Sequence, residues 1–195
     1  MSLIILVFVF LGSMLQGISL QNKWTSPNFS LFCIFGILLI IAAVYRPVFM
    51  PDYDSYFNAI VLKTSDRMEP TFYLIRTFWN ILDFNPTGTF TTYALIGTSL
   101  VLFTIKRDSR YYWFSLSLFI SIYFILGEMI QIRQAVAAGF LLLSTKYICT
   151  KNPKIYFLLT SFAILFHYSA IIMIPLYFLS PISKRRLYYI CLLYT

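Results

Sequence analysis

The sequence predicts an all-α, polytopic transmembrane protein with an outer amphipathic interfacial helix and, near its C-terminal end, a segment that reads as a re-entrant helical hairpin. Three observations carry that prediction. Of the 195 residues, 59% are hydrophobic and only 11% are charged, against roughly a quarter charged in an ordinary soluble domain. Several apolar runs approach the roughly 20 residues that a helix rising about 1.5 Å per residue needs to cross about 30 Å of hydrocarbon. The charges, 15 Lys+Arg against 7 Asp+Glu, sit in short clusters between those runs. Such clustering is a topology signal and not a continuous basic face, so the expected partner is the lipid bilayer and not nucleic acid.

The chain reads as a single transmembrane domain over 1–195. Its first run, 3–20, lacks the basic n-region and the Ala-x-Ala-like site of a cleaved signal peptide, so it reads as a retained span. Further spans are expected at 30–45, 89–105, 111–127 and 132–149. Cys33, Cys149 and Cys191 lie in or beside apolar runs with no CxxC spacing, and read as small buried hydrophobes.

Lys and Arg in short loops stay on the cytoplasmic side. Lys106, Arg107 and Arg110 therefore fix one inner loop, and Lys146, Lys151 and Lys154 fix another two spans later. Counting back puts Lys23 inside, the N-terminus outside, and the stretch from Arg46 to Pro86 on the outer side of a cytoplasmic membrane. A single crossing over 155–180 would send Lys184, Arg185 and Arg186 outwards. Two readings stand for that segment: a hairpin of half-helices of roughly 18 Å each, 155–166 and 169–179, meeting near His167, or one helix kinked by Pro175. The terminal run 187–195 starts another span and stops short of one, which makes the chain look C-terminally truncated.

The outer stretch holds most of the acids. Pro47 and Pro51 stop the second span, and Asp52, Tyr53, Asp54 and Tyr56 follow in a cluster. Carboxylates accept hydrogen bonds from sugar hydroxyls while aromatic faces cover a pyranose, so Asp52, Tyr53 and Tyr56 are candidate sugar-binding groups; the same cluster also suits a solvated loop. Pro70 fits the first turn of a helix over 71–84 with Glu69 at its cap. Glu69, Tyr73, Arg76, Asn80 and Asp83 form a polar stripe, and Phe72, Ile75, Phe78, Trp79 and Leu82 occupy the other faces, the pattern of a helix lying in the membrane interface.

Glu128 and Arg133 flank the start of the span at 132–149, five residues apart, so they are not neighbours on a helical face. An Arg in a first turn is not offset by the helix dipole and favours a bound anion, although it can also snorkel. His167, in an apolar run, needs a polar partner or a chemical role. It has no second His and no HExxH or Cys cluster beside it, so no metal and no cofactor is expected.

In this order, Arg46, Asp52-Tyr53-x-x-Tyr56, Glu69-Pro70-x-Phe72, IRQAVA with Arg133, and FHYSAI with His167, Ser169 and Ala170 resemble the EpsG family of membrane polysaccharide polymerases, related in role to the Wzy polymerases. The sequence departs from the family where Met50-Pro51 replaces the Gly often preceding the Asp, and where further C-terminal spans would follow. The resemblance implies glycosyl transfer at the outer face of the cytoplasmic membrane, joining oligosaccharide repeat units carried on polyprenyl diphosphate into exopolysaccharide, O-antigen or capsule. It implies partners that set chain length or export the product. Arg133, with Arg46 or Arg76, would hold the departing diphosphate, and Asp52, Glu69 or His167 would take the hydroxyl proton. If the base is His167, acid should remove activity through a range where a carboxylate stays ionised. A transporter or flippase of lipid-linked sugars, and a non-catalytic membrane subunit, are the alternatives; no repeat between the halves supports the transporter.

Overall fold

A computed structural model describes residues 2–20, 29–62 and 68–179, and every regular element among them is helical. Helix α1 (Ser2–Leu20) and α2 (Phe29–Val44) are followed by the short α3 (Tyr53–Val61) and by α4 (Pro70–Ile81). Then come α5 (Thr87–Asp108), α6 (Tyr112–Leu118) running directly into a π-helix (Phe119–Ile130), and α7 (Ile132–Cys149). Helix α8 (Pro153–Phe166), a 3-10 turn (Tyr168–Met173) and the single-turn α9 (Leu176–Leu179) complete it. Among the described residues, α5 and the continuous unit Tyr112–Ile130 are long and apolar enough to cross a membrane, while Ser2–Ile18, Phe29–Val44 and Pro153–Phe166 are shorter apolar helices. Lys23, the Lys184–Arg186 cluster, Cys191 and the run 187–195 lie outside the described residues.

Two apolar cores share α5. One joins α1, α2 and the α6–π unit through Val9, Leu39, Trp113, Leu116 and Phe124. The other joins α3, α4, α7 and α8 through Ile60, Phe72, Tyr93, Val136 and Ala163. Helices α5 and α7 approach most closely at glycines: a Cβ on Gly139 would stand 2.9 Å from the Cβ of Leu100 and 3.5 Å from the carbonyl of Gly97. Small residues at such a crossing let two backbones pack by dispersion where lipid offers no hydrophobic drive.

Several expectations are corrected. The stretch after Pro51 is not simply a loop, because Tyr53–Val61 winds into α3 and buries Tyr56, Ala59 and Ile60. Phe72 does not face lipid; it is fully buried against Tyr56 and Tyr93. The outward face of α4 is instead Leu74, Phe78 and Ile81, and Trp79 donates its Nε1–H to Thr92 at 2.8 Å. Cys33 and Cys149 are exposed and not buried.

The placement of Glu128 is corrected too: read as flanking the outer start of the span at 132–149, it lies near the end of the π-helix and is 1% exposed, on a face shared with the buried Phe124, Ile120 and Ser117. Gly97 makes room for it, since a Cβ there would lie 2.8 Å from both carboxylate oxygens.

The segment after Asn152 is not one helix kinked at Pro175. Helix α8 starts conventionally, with Asn152 accepting from Ile155 N–H and Pro153 at its first position. It stops at His167, which is extended at φ −156, ψ 117. The second half is a 3-10 turn and a short α-turn, not the continuous half-helix expected over 169–179. It folds back on the first: Tyr156 donates its hydroxyl to Met173 C=O at 2.5 Å, and the Tyr156 and Tyr177 rings lie 5.2 Å apart.

Candidate functional site

Three residues from distant parts of the chain meet at the broken end of α8. Glu69 occupies the cap position of α4 at φ −67, ψ 153, yet its side chain makes no capping bond. One carboxylate oxygen instead pairs with Arg133 Nη1 and the other meets His167 Nδ1 at 2.9 Å. Its side chain is 4% exposed. A carboxylate so far out of water persists as an ion only with partners of this kind. Thr71 holds the two elements in register by donating its hydroxyl to Leu165 C=O at 2.7 Å, one of the last four carbonyls of α8 that have no intrahelical partner.

Arg133 stands in the first turn of α7, as expected, but its counter-ion was not legible there. Glu128 does not neutralise it; Glu69 does, from 64 residues away in sequence. The Arg133 Nε–H also points at the Tyr56 hydroxyl at 3.5 Å, with the guanidinium 5.6 Å from the Tyr56 ring centre. Burial pushes the Tyr56 phenol above its ordinary pKa, and the Arg133 hydrogen bond opposes that shift. Tyr56 therefore stays protonated, and its ring is packed inside the site wall and not presented as a free face. Tyr53 stacks with Phe57, lies tilted against Phe90 and is half-buried.

Above this cluster a polar pocket of about 150 Å³ is lined by Asp52, Tyr56, Gln131, Arg133, Gln134 and His167. Drug-sized sites run to roughly 300–1,000 Å³, so this one is small and partly open to its surroundings. Asp52, at the start of α3 in the left-handed region with φ 65, is exposed at its mouth. Sequence reasoning passed over Gln131 and Gln134, whose neutral amides carry no charge signal. The available signal was position, on either side of Arg133.

The other two arginines are placed differently. Arg46 is buried beneath the site; its Nη1 donates to Met129 C=O at 3.0 Å and its guanidinium lies 4.4 Å from the Phe90 ring centre. Burial lowers its pKa to about 10, with Tyr56 and Glu128 opposing, so it is charged at neutral pH. Arg76 does not line the pocket. It donates to Ala59 C=O at 2.9 Å and covers the Tyr73 ring, fastening α4 to α3.

His167 and Arg133 each keep one nitrogen that these contacts leave for a ligand. An ionised carboxylate can only accept, so the His167 nitrogen facing Glu69 carries the proton and the other ring nitrogen is left as an acceptor. Arg133 spends Nη1 on Glu69 and directs Nε at Tyr56, which leaves Nη2 for an anion. A proton acceptor and an anion-binding cation thus share one small polar cavity.

A model of the EpsG family matches residues 28–195. No curated protein and no solved structure matches the chain.

Proposed function

Because the chain belongs to the EpsG family, a family of membrane proteins of polysaccharide biosynthesis, we propose that it polymerises polyprenyl-diphosphate-linked oligosaccharide repeat units at the outer face of the cytoplasmic membrane. The observation that carries this reading is that Arg133 and His167, which both line one pocket, share the carboxylate of Glu69. In the proposed reaction, a hydroxyl of one lipid-linked unit attacks the anomeric carbon of another. The new carbon–oxygen bond forms as the bond to the diphosphate oxygen breaks, and the hydroxyl proton passes to a base on the protein.

His167 is that base, through the ring nitrogen left free by Glu69. Glu69 is better suited to positioning than to proton transfer: it is nearly buried, and both oxygens are committed. It selects the tautomer of His167 and stabilises the imidazolium that forms, as the aspartate of a hydrolase triad does for its histidine. Arg133 stabilises charge developing on the departing diphosphate, and Arg46 adds positive potential from below. Asp52, exposed at the mouth, binds sugar hydroxyls and does not serve as the base.

The same reading sets the orientation. Helix α5 has 22 residues, roughly 33 Å at about 1.5 Å per residue, enough for a hydrocarbon core of about 30 Å. The pocket elements pack on its first half through Phe90 and Tyr93. At its far end Asp108 binds Arg107 and lies 3.8 Å from Lys146. By the positive-inside rule that end is cytoplasmic, the pocket is external, α4 lies in the outer interface, and 153–178 enters and leaves on one side.

The test is restoration of long-chain surface polysaccharide in cells lacking their matching polymerase. The parent chain should give long chains, and Arg133→Ala only single repeat units. A correctly inserted parent that gives only single units contradicts the proposal.

A further inference from the structure

The groups lining the pocket divide into two sets. Tyr56, one nitrogen of His167 and two of Arg133 are engaged with one another or with the carboxylate of Glu69. Asp52, Gln131 and Gln134 also face the cavity, all three are exposed, and none of their side chains hydrogen-bonds another described residue. Local geometry fixes the backbone from which the amides project. Gln131 terminates the π-helix, donating its backbone N–H to Leu126 C=O at 3.0 Å, and opens α7 by accepting from Ala135 N–H at 2.9 Å. Gln134 is three residues on, so the two amides share a helical face, while the intervening Arg133 turns inward to Glu69.

We propose that Gln131 and Gln134, together with Asp52, form a sugar subsite of this pocket that recognises the hydroxyl and acetamido groups of one ring of the repeat unit. The inference rests on the transfer reading above and adds the residues that would choose the sugar. Each amide offers two donors and an acceptor oxygen, and the carboxylate offers acceptors only. Together they match the alternating donors and acceptors around a hydroxylated ring, and they complement an acetamido group, which a purely charged wall would not. The subsite also lies beside Arg133, so a bound ring would sit next to the anion-binding group.

The probe is the repeat-unit oligosaccharide released by mild acid from the source cells' own lipid-linked pool, titrated by saturation-transfer NMR against the full chain in nanodiscs. The parent should bind it, and Gln131→Ala/Gln134→Ala should weaken binding by roughly tenfold or more, the expected loss for two hydrogen-bonding groups. The thermal unfolding midpoint should be unchanged, because both side chains are exposed. Parent-like affinity in the double variant overturns the proposal, as does a parent with no measurable binding. Binding is read independently of polymer formation. A parent that binds the oligosaccharide through these amides but makes no polymer contradicts the transfer reading and supports the subsite.

Discussion

At the scale of single residues, Glu69 governs the site because it is a nearly buried carboxylate with two partners. Removing one partner from a buried ion pair costs about 3–5 kcal/mol, since the remaining charge is left uncompensated. Arg133→Ala should therefore destabilise the protein as well as inactivate it. Adding Glu69→Gln removes the stranded charge, so the double variant should regain most of the lost thermal stability while polymer synthesis stays absent. Equal stability of single and double variants in a detergent melt would show that the two side chains are not energetically coupled. His167→Ala removes the proposed general base and should lower the polymerisation rate by about 10²–10⁴-fold; it also leaves one nearly buried Glu69 oxygen without its partner, at a cost of about 1–3 kcal/mol that a thermal melt reads separately. Glu69 and His167 were both legible in the sequence as candidates, but their pairing was not. Nothing local links residues 98 positions apart, and the same carboxylate reads equally well as a helix cap.

At the scale of elements, the break in α8 is the feature that makes the site. No Gly or Pro lies at 166–169, so local propensity gives no reason for the helix to stop there. The tertiary contacts do: Glu69 engages the His167 ring, and Thr71 takes the Leu165 carbonyl. Thr71→Val keeps the shape and deletes the bond, so it should reduce polymer synthesis severalfold while leaving expression intact; an unaffected rate would mean that α4 holds α8 by packing alone. Ala135, Ala137, Ala138 and Gly139 are small enough to allow close helix packing, but only the fold shows that α5 is the helix packed against Gly139. Gly139→Leu should force these helices apart, because the substituent meets a neighbouring Cβ and not a flexible side-chain end. Overpacking of this kind costs about 1–3 kcal/mol, visible as a lower melting temperature.

At the scale of the whole molecule, apolar composition and clustered charge were enough to recognise an all-helical membrane protein, and the ordered motifs were enough to recognise its family. The contacts across the pocket were beyond sequence reading, because α3, α4, α7 and α8 contribute to it from separate segments and only packing brings them together. On the proposed function, this packing builds one transferase site from Glu69, Arg133 and His167. The most direct test is a reconstituted reaction in which the purified chain in liposomes receives lipid-linked repeat units and products are sized on a gel. The parent chain should give a polymer ladder, and His167→Ala unextended single units at equal protein and lipid. A ladder of parental length and rate from His167→Ala would contradict the proposal.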